Sequence, residues 1–330
     1  MKVLVTGGGG FLGRYIVRML LDRGDFVHSL GRSPQPDLAE WGVSVFCGDI
    51  ADPDAVLAAA KGCDAVIHVA ALAGIWGSWQ TFYKPNVIGT RSVLRACREL
   101  GIGKLVYTST PSVVFTGSAF EGADASLPYG KNWLCHYAHT KALAEAEVLA
   151  ANTGSVLRTV ALRPHLIWGL GDNHLIPRIV QKARSGRLRR VGEGTNRVDI
   201  THVSNAARAH LNALDQLEAQ PSCCGGKAYF ISQGEPVNLW EWINQLLVRL
   251  DIPPVKRAVS ARTAYGLGAV CEGVYRILHL PGEPPMTRFL AVELAKSHWF
   301  DISAAEKDLG YQVVVSNKSG LDELVEYGKF

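Results

Sequence analysis

The sequence has little that would mark an exported, membrane-spanning or nucleic-acid-binding protein. Its 330 residues contain no long basic run, and 34 basic against 30 acidic residues leave a formal charge of +4, so nucleic acid is not implied as a partner. No charged segment leading into an apolar run and a cleavage site follows Met1, and a cytoplasmic protein is expected. The seven cysteines, at 47, 63, 97, 135, 223, 224 and 271, are odd in number and scattered, with no Cys-x-x-Cys and no histidine at metal-ligand spacing. That pattern fits reduced thiols and offers no metal site. A spanning helix needs about 20 predominantly apolar residues, and the most apolar late segment, Thr263 to Leu280, is interrupted by Glu272 and Arg276. Neither a Ser-His-Asp order nor paired carboxylates suggest hydrolytic chemistry.

What is present is the composition of a globular chain, 48% apolar and 19% charged, long enough for a large α/β unit with an appended lobe. Lys2 to Thr6 is a β-branched apolar run suited to a buried parallel strand. It enters Gly7-Gly8-Gly9-Gly10-Phe11-Leu12-Gly13, after which Leu12, Ile16, Met19 and Leu20 recur at helical spacing. Strand, glycine turn and helix in that order form a dinucleotide site: glycines at 7, 10 and 13 permit the tight turn, close approach to a pyrophosphate and close helix packing. The next strand, Phe26 to Leu30, ends in Gly31-Arg32-Ser33, with no carboxylate before Asp37 to bind a ribose 2′-hydroxyl. Arg32 suits a 2′-phosphate, so NADP(H) is expected, with NAD(H) left open.

The alternation continues through a strand at Val43 to Cys47, a helix capped by Asp52, a strand over Asp64 to Ala71, a helix over Thr81 to Leu100 and a strand at Lys104 to Thr110. Ligands of such sheets bind at the carboxyl ends of the strands, here Gly7, Asp49, Ala70-Ala71 and Thr108-Ser109-Thr110. Downstream, Tyr137 and Lys141 stand four apart at the head of a helix, roughly 5–6 Å between Cβ atoms. A cation so placed favours the phenolate, which would make Tyr137 a general acid/base near neutral pH. His136 and His139 lie on other faces of that helix and are expected to pack or face solvent.

Together these motifs resemble the extended short-chain dehydrogenase/reductases: Thr6-Gly7-x-x-Gly10-x-x-Gly13, Gly48-Asp49, His68-Val69-Ala70-Ala71, Asn86-Val87-x-Gly89-Thr90, Tyr107-Thr108-Ser109-Thr110, Tyr137-x3-Lys141 and Arg163-Pro164. Within them the chain is similar to the 3β-hydroxysteroid dehydrogenase branch, and most of all to its bacterial 2-alkyl-3-oxoalkanoate reductases of long-chain olefin biosynthesis. This is carried by Ala73 to Trp79, Tyr107 to Val113, Leu162 to Gly169 and Leu280 to Leu290. The resemblance implies NADPH-dependent reduction of a lipid-like β-keto acid. It implies Thr110, Tyr137 and Lys141 as catalytic residues, with Ser112 a rival hydroxyl. Gly7, Gly10, Phe11, Leu12, Arg32, Asp49, Ile50, Ala70, Ala71, Lys141 and Pro164 would hold the cofactor, and Trp76, Trp79, His165 and Trp168 the substrate. The chain departs from the family at Thr110, where serine is usual, and at Ser204, where an acid is usual. A hydroxysteroid dehydrogenase and a dinucleotide-binding regulator without turnover are the alternatives, the second disfavoured by Tyr137 and Lys141 occurring together.

The expected fold is α/β, a Rossmann-type doubly wound parallel sheet with a smaller C-terminal α/β lobe. The dinucleotide domain is placed at 1–165, with returns to the sheet around 190–210 and 226–233, and the substrate lobe at 166–330. Helices are expected near Ala206 to Leu217, Val237 to Leu250 and Thr263 to Leu280. The apolar spacing of the last predicts a helix packed on the lobe, a cover over an acyl site beside Trp76 and Trp79, or a contact with a membrane surface or pathway enzyme. The basic patch Arg184 to Arg190 reads as a solvated helix end. A homodimer is left open.

Overall fold

The computed structural model describes residues 1–219 and 221–328. Seven strands form one sheet, in the order Ser44–Cys47, Phe26–Gly31, Lys2–Thr6, Ala65–His68, Lys104–Thr108, Arg158–Pro164 and Lys227–Ile231, every neighbouring pair parallel. Their side chains alternate between two cores. Val3, Val5, Ile67, Val106, Val160 and Leu162 face one, while Leu4, Val66, Leu105 and Ala161 face the other. Helices Phe11–Asp22 and Val203–Glu218 cover the first face, and Pro53–Ala60 with Gly89–Leu100 the second. Strand order reverses between Lys2–Thr6 and Ala65–His68, which opens a crevice at their carboxyl ends.

Most predicted elements appear within a few residues of their expected bounds, and two differ in kind. The helix expected over Thr81 to Leu100 is broken into Trp79–Tyr83, a single wide turn at Lys84–Ile88, and Gly89–Leu100. Pro85 cannot donate a ladder bond, and the wide turn leaves Asn86 buried. The return expected at 190–210 adds no strand to the seven-stranded sheet. Its strands are two residues long and pair elsewhere: Arg190–Val191 with Ala258–Val259, Arg197–Val198 with Val237–Asn238 and His298–Phe300, and Thr201–His202 with Ile167–Trp168. What returns from there is the helix Val203–Glu218, whose first amides are capped by the His202 ring accepting from Ser204 N. In the other direction, Phe120–Ala123 leaves the first half of the chain to pair with His298–Phe300.

The remaining helices, among them Leu175–Arg184, Leu239–Arg249, Ala261–Ile277 and Arg288–Ala295, surround a separate core of Trp168, Ile176, Trp240, Trp242, Ile243 and Leu246.

Between the Tyr137 helix, His136–Ala150, and the strand Arg158–Pro164 lies a fully buried ion pair. The Arg163 guanidinium donates to Glu145 from Nε at 3.0 Å and from Nη2 at 2.6 Å, with the two side chains 3% and 0% exposed. Removing one member strands a charge, which costs about 3–5 kcal/mol, whereas replacing both with apolar groups of similar size is often neutral. We therefore expect Arg163→Met to lower the urea midpoint strongly, and Arg163→Met/Glu145→Leu to recover most of that loss; a double variant no more stable than the single one would show that the pair is not the cause.

Candidate active site

The glycine turn is built as a phosphate cradle. Gly7 has φ +73°, and a Cβ there would lie 3.0 Å from the Ala70 backbone. A Cβ on Gly13 would overlap the Gly7 carbonyl oxygen, so the helix can start this close to the strand only with glycine. Gly10 caps the helix Phe11–Asp22 without a side-chain bond, and its first turn holds no acid. Its leading amides and the positive end of its dipole are thus directed at the crevice, which fits a pyrophosphate. Phe11 and Leu12 form the first turn, with Phe11 edge-on to Tyr15.

Around this cradle the other expected cofactor residues gather. Asp49 sits below its usual carboxylate range because it accepts from Ala51 N and pairs with Lys84 at 3.0 Å. The exposed Arg32 guanidinium acts on the same carboxylate, which places it at this end of the crevice. The nearest following acid, Asp37, is engaged by Arg14. Ile50 packs against Gly89, and Ala70 N donates to Thr6 Oγ1 at 3.2 Å, with Ala71 next to it and exposed. Pro164 ends its strand opposite Ile231.

The catalytic candidates meet at the end of Lys104–Thr108. The Thr110 hydroxyl faces the Tyr137 phenol closely enough to oppose the upward shift of its pKa, and lies 3.3 Å from Ser112 Oγ, so both candidate hydroxyls stand at this end of the strand. Lys141 is buried, donates to the Thr108 carbonyl at 2.6 Å and lies 4.1 Å from the centre of the Tyr107 ring. Here the expected electrostatics are corrected. Burial pushes Tyr137 up to about 12, with the Thr110 bond opposing, and Lys141 has no part in the shift. Lys141 is itself brought down to about 7 by burial, against an upward pull from Glu145. Desolvation outweighs charge attraction because both groups leave water together.

Two residues that the motifs contain but to which sequence reasoning gave no role hold this geometry. Asn86 accepts from Leu72 N at 2.8 Å and donates to the Leu72 carbonyl and to Thr140 Oγ1, both at 3.1 Å, tying the loop after Ala70-Ala71 to the Tyr137 helix. His68, fully buried, bridges Thr6 Oγ1 at 2.7 Å and Thr90 Oγ1 at 3.0 Å. Burial, and then Lys141, hold its ring down to about 3, so it stays neutral. A histidine ending the otherwise apolar Ala65–His68 and an asparagine after Pro85 were the available signals.

Apolar walls surround the phenol. Ile75, Phe115, Trp133, Phe289 and Val292 cluster with Tyr137, and the Phe82 ring lies 6.4 Å away. Trp79 stacks on Tyr83 and touches His136 and His139, so those histidines serve packing at the head of the helix. Trp76 meets Tyr275 edge-on and lies under the Arg276 guanidinium. His165 is buried and turned to His298, with Nε2 2.6 Å from Nδ1, and burial holds it well below its ordinary value. Trp168 is corrected: it is 0% exposed between Trp242 and His202 in the lobe core, with no face left for a substrate. The cover expected from Thr263 to Leu280 is corrected too. Leu267, Val270 and Val274 point to solvent, and the helix reaches the site loop through Tyr275 and Arg276.

The sequence profile of the 3-beta hydroxysteroid dehydrogenase/isomerase family matches residues 4–260. The chain is 52% identical over 326 residues to the 2-alkyl-3-oxoalkanoate reductase of Stenotrophomonas maltophilia (strain K279a), covering 98% of each. It is 33% identical over 329 residues to the sterol-4-alpha-carboxylate 3-dehydrogenase, decarboxylating, of Mus musculus, covering 98% of this chain and 89% of that one. Among solved structures, MoeE5 in complex with UDP-glucose and NAD matches with a TM-score of 0.74 and 25% identity, over 99% of this chain and 98% of that one. The chain belongs to the 3-beta hydroxysteroid dehydrogenase/isomerase family, oxidoreductases of the extended short-chain dehydrogenase/reductase type that work with a nicotinamide dinucleotide.

Proposed function

We propose that the protein reduces the 3-keto group of a 2-alkyl-3-oxoalkanoate to the 3-hydroxy acid with NADPH. The observation that carries this is a protonated phenol at the crevice, held by a threonine hydroxyl and walled by apolar side chains. The relatives' names support the substrate class. Oxidation at C3 of a sterol beside a 4-carboxylate gives a 3-oxo acid, the same grouping that 2-alkyl-3-oxoalkanoate denotes. A plain hydroxysteroid lacks that carboxylate. In this reading the part of the chain up to residue 165 binds the cofactor and the lobe from 166 onward shapes most of the acyl site.

Gly7 to Leu12 would hold the pyrophosphate, Asp49 and Ile50 the adenine end, and Arg32 the 2′-phosphate, while Ala70, Ala71, Pro164 and Lys141 would flank the nicotinamide riboside. The bound reduced cofactor supplies a hydride for the carbonyl carbon. The residues of the chain manage the oxygen. Thr110 Oγ1 and the Tyr137 hydroxyl orient it, and Tyr137 donates its proton as the C–O bond becomes single, so no free alkoxide forms. A phenol held near 12 remains protonated throughout the physiological range, the form that reduction requires. Asn86 and His68 hold the loop and helix, and the apolar walls exclude water from the reacting carbonyl.

Three outcomes follow. Tyr137→Phe should cut the rate of NADPH oxidation with a synthetic 2-alkyl-3-oxo acid by about 10²–10⁴ while leaving cofactor binding by fluorescence intact, and an undiminished rate would remove the mechanism. Native protein should prefer NADPH over NADH in kcat/KM, and Arg32→Ala should narrow the ratio roughly 10- to 100-fold, the loss of a charge-assisted bond; an unchanged ratio assigns Arg32 no such role. Because the folded Lys141 binds its proton less tightly than the unfolded chain does, its burial costs most below about 7, and the cost fades as pH rises towards its ordinary 10.5. Lys141→Met should therefore melt above the native apoprotein at pH 6, with the gap closing by pH 10, and a pH-independent gap would contradict the burial cost.

A further inference from the structure

The outer face of the helix Ala261–Ile277 takes no part in the site described above. Its inner face is fixed. Ala264, Gly268 and Glu272 are buried at four-residue intervals, and a Cβ on Gly268 would lie 2.6 Å from the Thr287 carbonyl carbon. Glu272 accepts from Arg288 N at 2.7 Å and from its guanidinium at 2.8 Å. On the other side Leu267, Val270, Val274 and Ile277 are 51%, 64%, 41% and 78% exposed, and the surface runs on into Leu278 at 63%. At spacings of three and four they form one aliphatic stripe, a feature that monomeric soluble proteins seldom leave open.

A basic surface adjoins it along the chain. One residue before the helix, Ala258–Val259 pairs in parallel with Arg190–Val191, which brings the two segments flanking this pair together. Between them lies a groove of about 640 Å³ lined by Arg184, Arg189, Lys256, Arg257 and the Pro253-Pro254 turn, with Asp251 its one acid. Segments 182–190 and 252–280 carry nine lysines and arginines, and their single acid, Glu272, is spent on Arg288. No helix among the described residues is long and apolar enough to cross a membrane.

We propose that this face docks the protein on an anionic lipid bilayer, the Leu267 to Leu278 stripe entering the interface and the basic groove meeting lipid phosphates. Aliphatic residues on one side of a helix, with basic residues beside it that outnumber the one exposed acid of the groove, Asp251, compose an interfacial helix. A protein-binding hot spot would instead centre on tryptophan, tyrosine or arginine in a packed pocket, and the stripe has none. The docked helix adjoins the site loop through Tyr275 and Arg276 on Trp76, so docking sets the site beside the lipid.

The test is co-sedimentation of the full chain with equimolar phosphatidylglycerol–phosphatidylethanolamine vesicles and with phosphatidylcholine vesicles, alongside sedimentation velocity without lipid. Native protein should pellet with the anionic vesicles and at least roughly tenfold less with the zwitterionic ones. Val270→Glu/Ile277→Glu should abolish pelleting, and Lys256→Glu/Arg257→Glu should remove the anionic preference, both with unchanged melting temperatures because all four residues are exposed. Pelleting by the Val270→Glu/Ile277→Glu protein equal to native would overturn the proposal. So would a native dimer that this variant dissociates without any vesicle binding, which would give the face to a second copy. Neither readout depends on the substrate proposed above.

Discussion

The Glu145 carboxylate is the constraint on which the site depends, because a charge with no exposure to water must find its partners inside the protein. It finds them on two sides. Arg163, from the adjacent strand, takes both oxygens, and Lys141, one helical turn before, feels its field. Since 137, 141 and 145 recur at four-residue spacing, the bond that anchors Glu145 also fixes the rotation of the helix about its axis. Lys141 is thereby brought against the Thr108 carbonyl and Tyr137 against Thr110. The helix cannot turn to relieve any one of these contacts without stranding the buried charge.

A second set of polar pins holds the facing wall. Thr6, His68, Thr90 and Asn86 form a chain of buried bonds from the end of the first strand, through the fourth, into the wide turn at Lys84–Ile88. Asn86 then reaches Thr140 on the catalytic helix, so the glycine cradle and the phenol are positioned by one connected network. The burial that suppresses protonation of His68 keeps it a neutral linker, able to donate at one nitrogen and accept at the other.

Much of this was legible in the sequence. Strand and helix periods, the glycines at 7, 10 and 13 and the Tyr137–Lys141 spacing are local properties of the chain, and local geometry reproduces them. What was not legible depended on burial by distant segments. Trp168 and Trp76 are equally aromatic in sequence, yet one is sealed by Trp242 and His202 while the other borders the site loop. The Leu267 to Leu278 spacing revealed an apolar face without saying what it faces, because Gly268 and Ala264, not the larger residues, turn out to be the packing side. The two-residue strands between 190 and 202 carry too few residues for any period to show.

Spacing alone also misjudged the proton chemistry. A cation four residues from a phenol lowers its pKa only if the cation survives burial, and Lys141, brought down to about 7 with its amine on the Thr108 carbonyl, is a weak source of positive charge. Tyr137, at about 12, stays protonated near neutral pH; it is a weaker acid than a free phenol but can still protonate an alkoxide, whose own pKa is higher. A phenol kept in its protonated form has a proton to give as a carbonyl C–O bond becomes single. The pull of the buried Glu145 carboxylate is already part of the balance that leaves Lys141 at about 7, and burial is the larger influence.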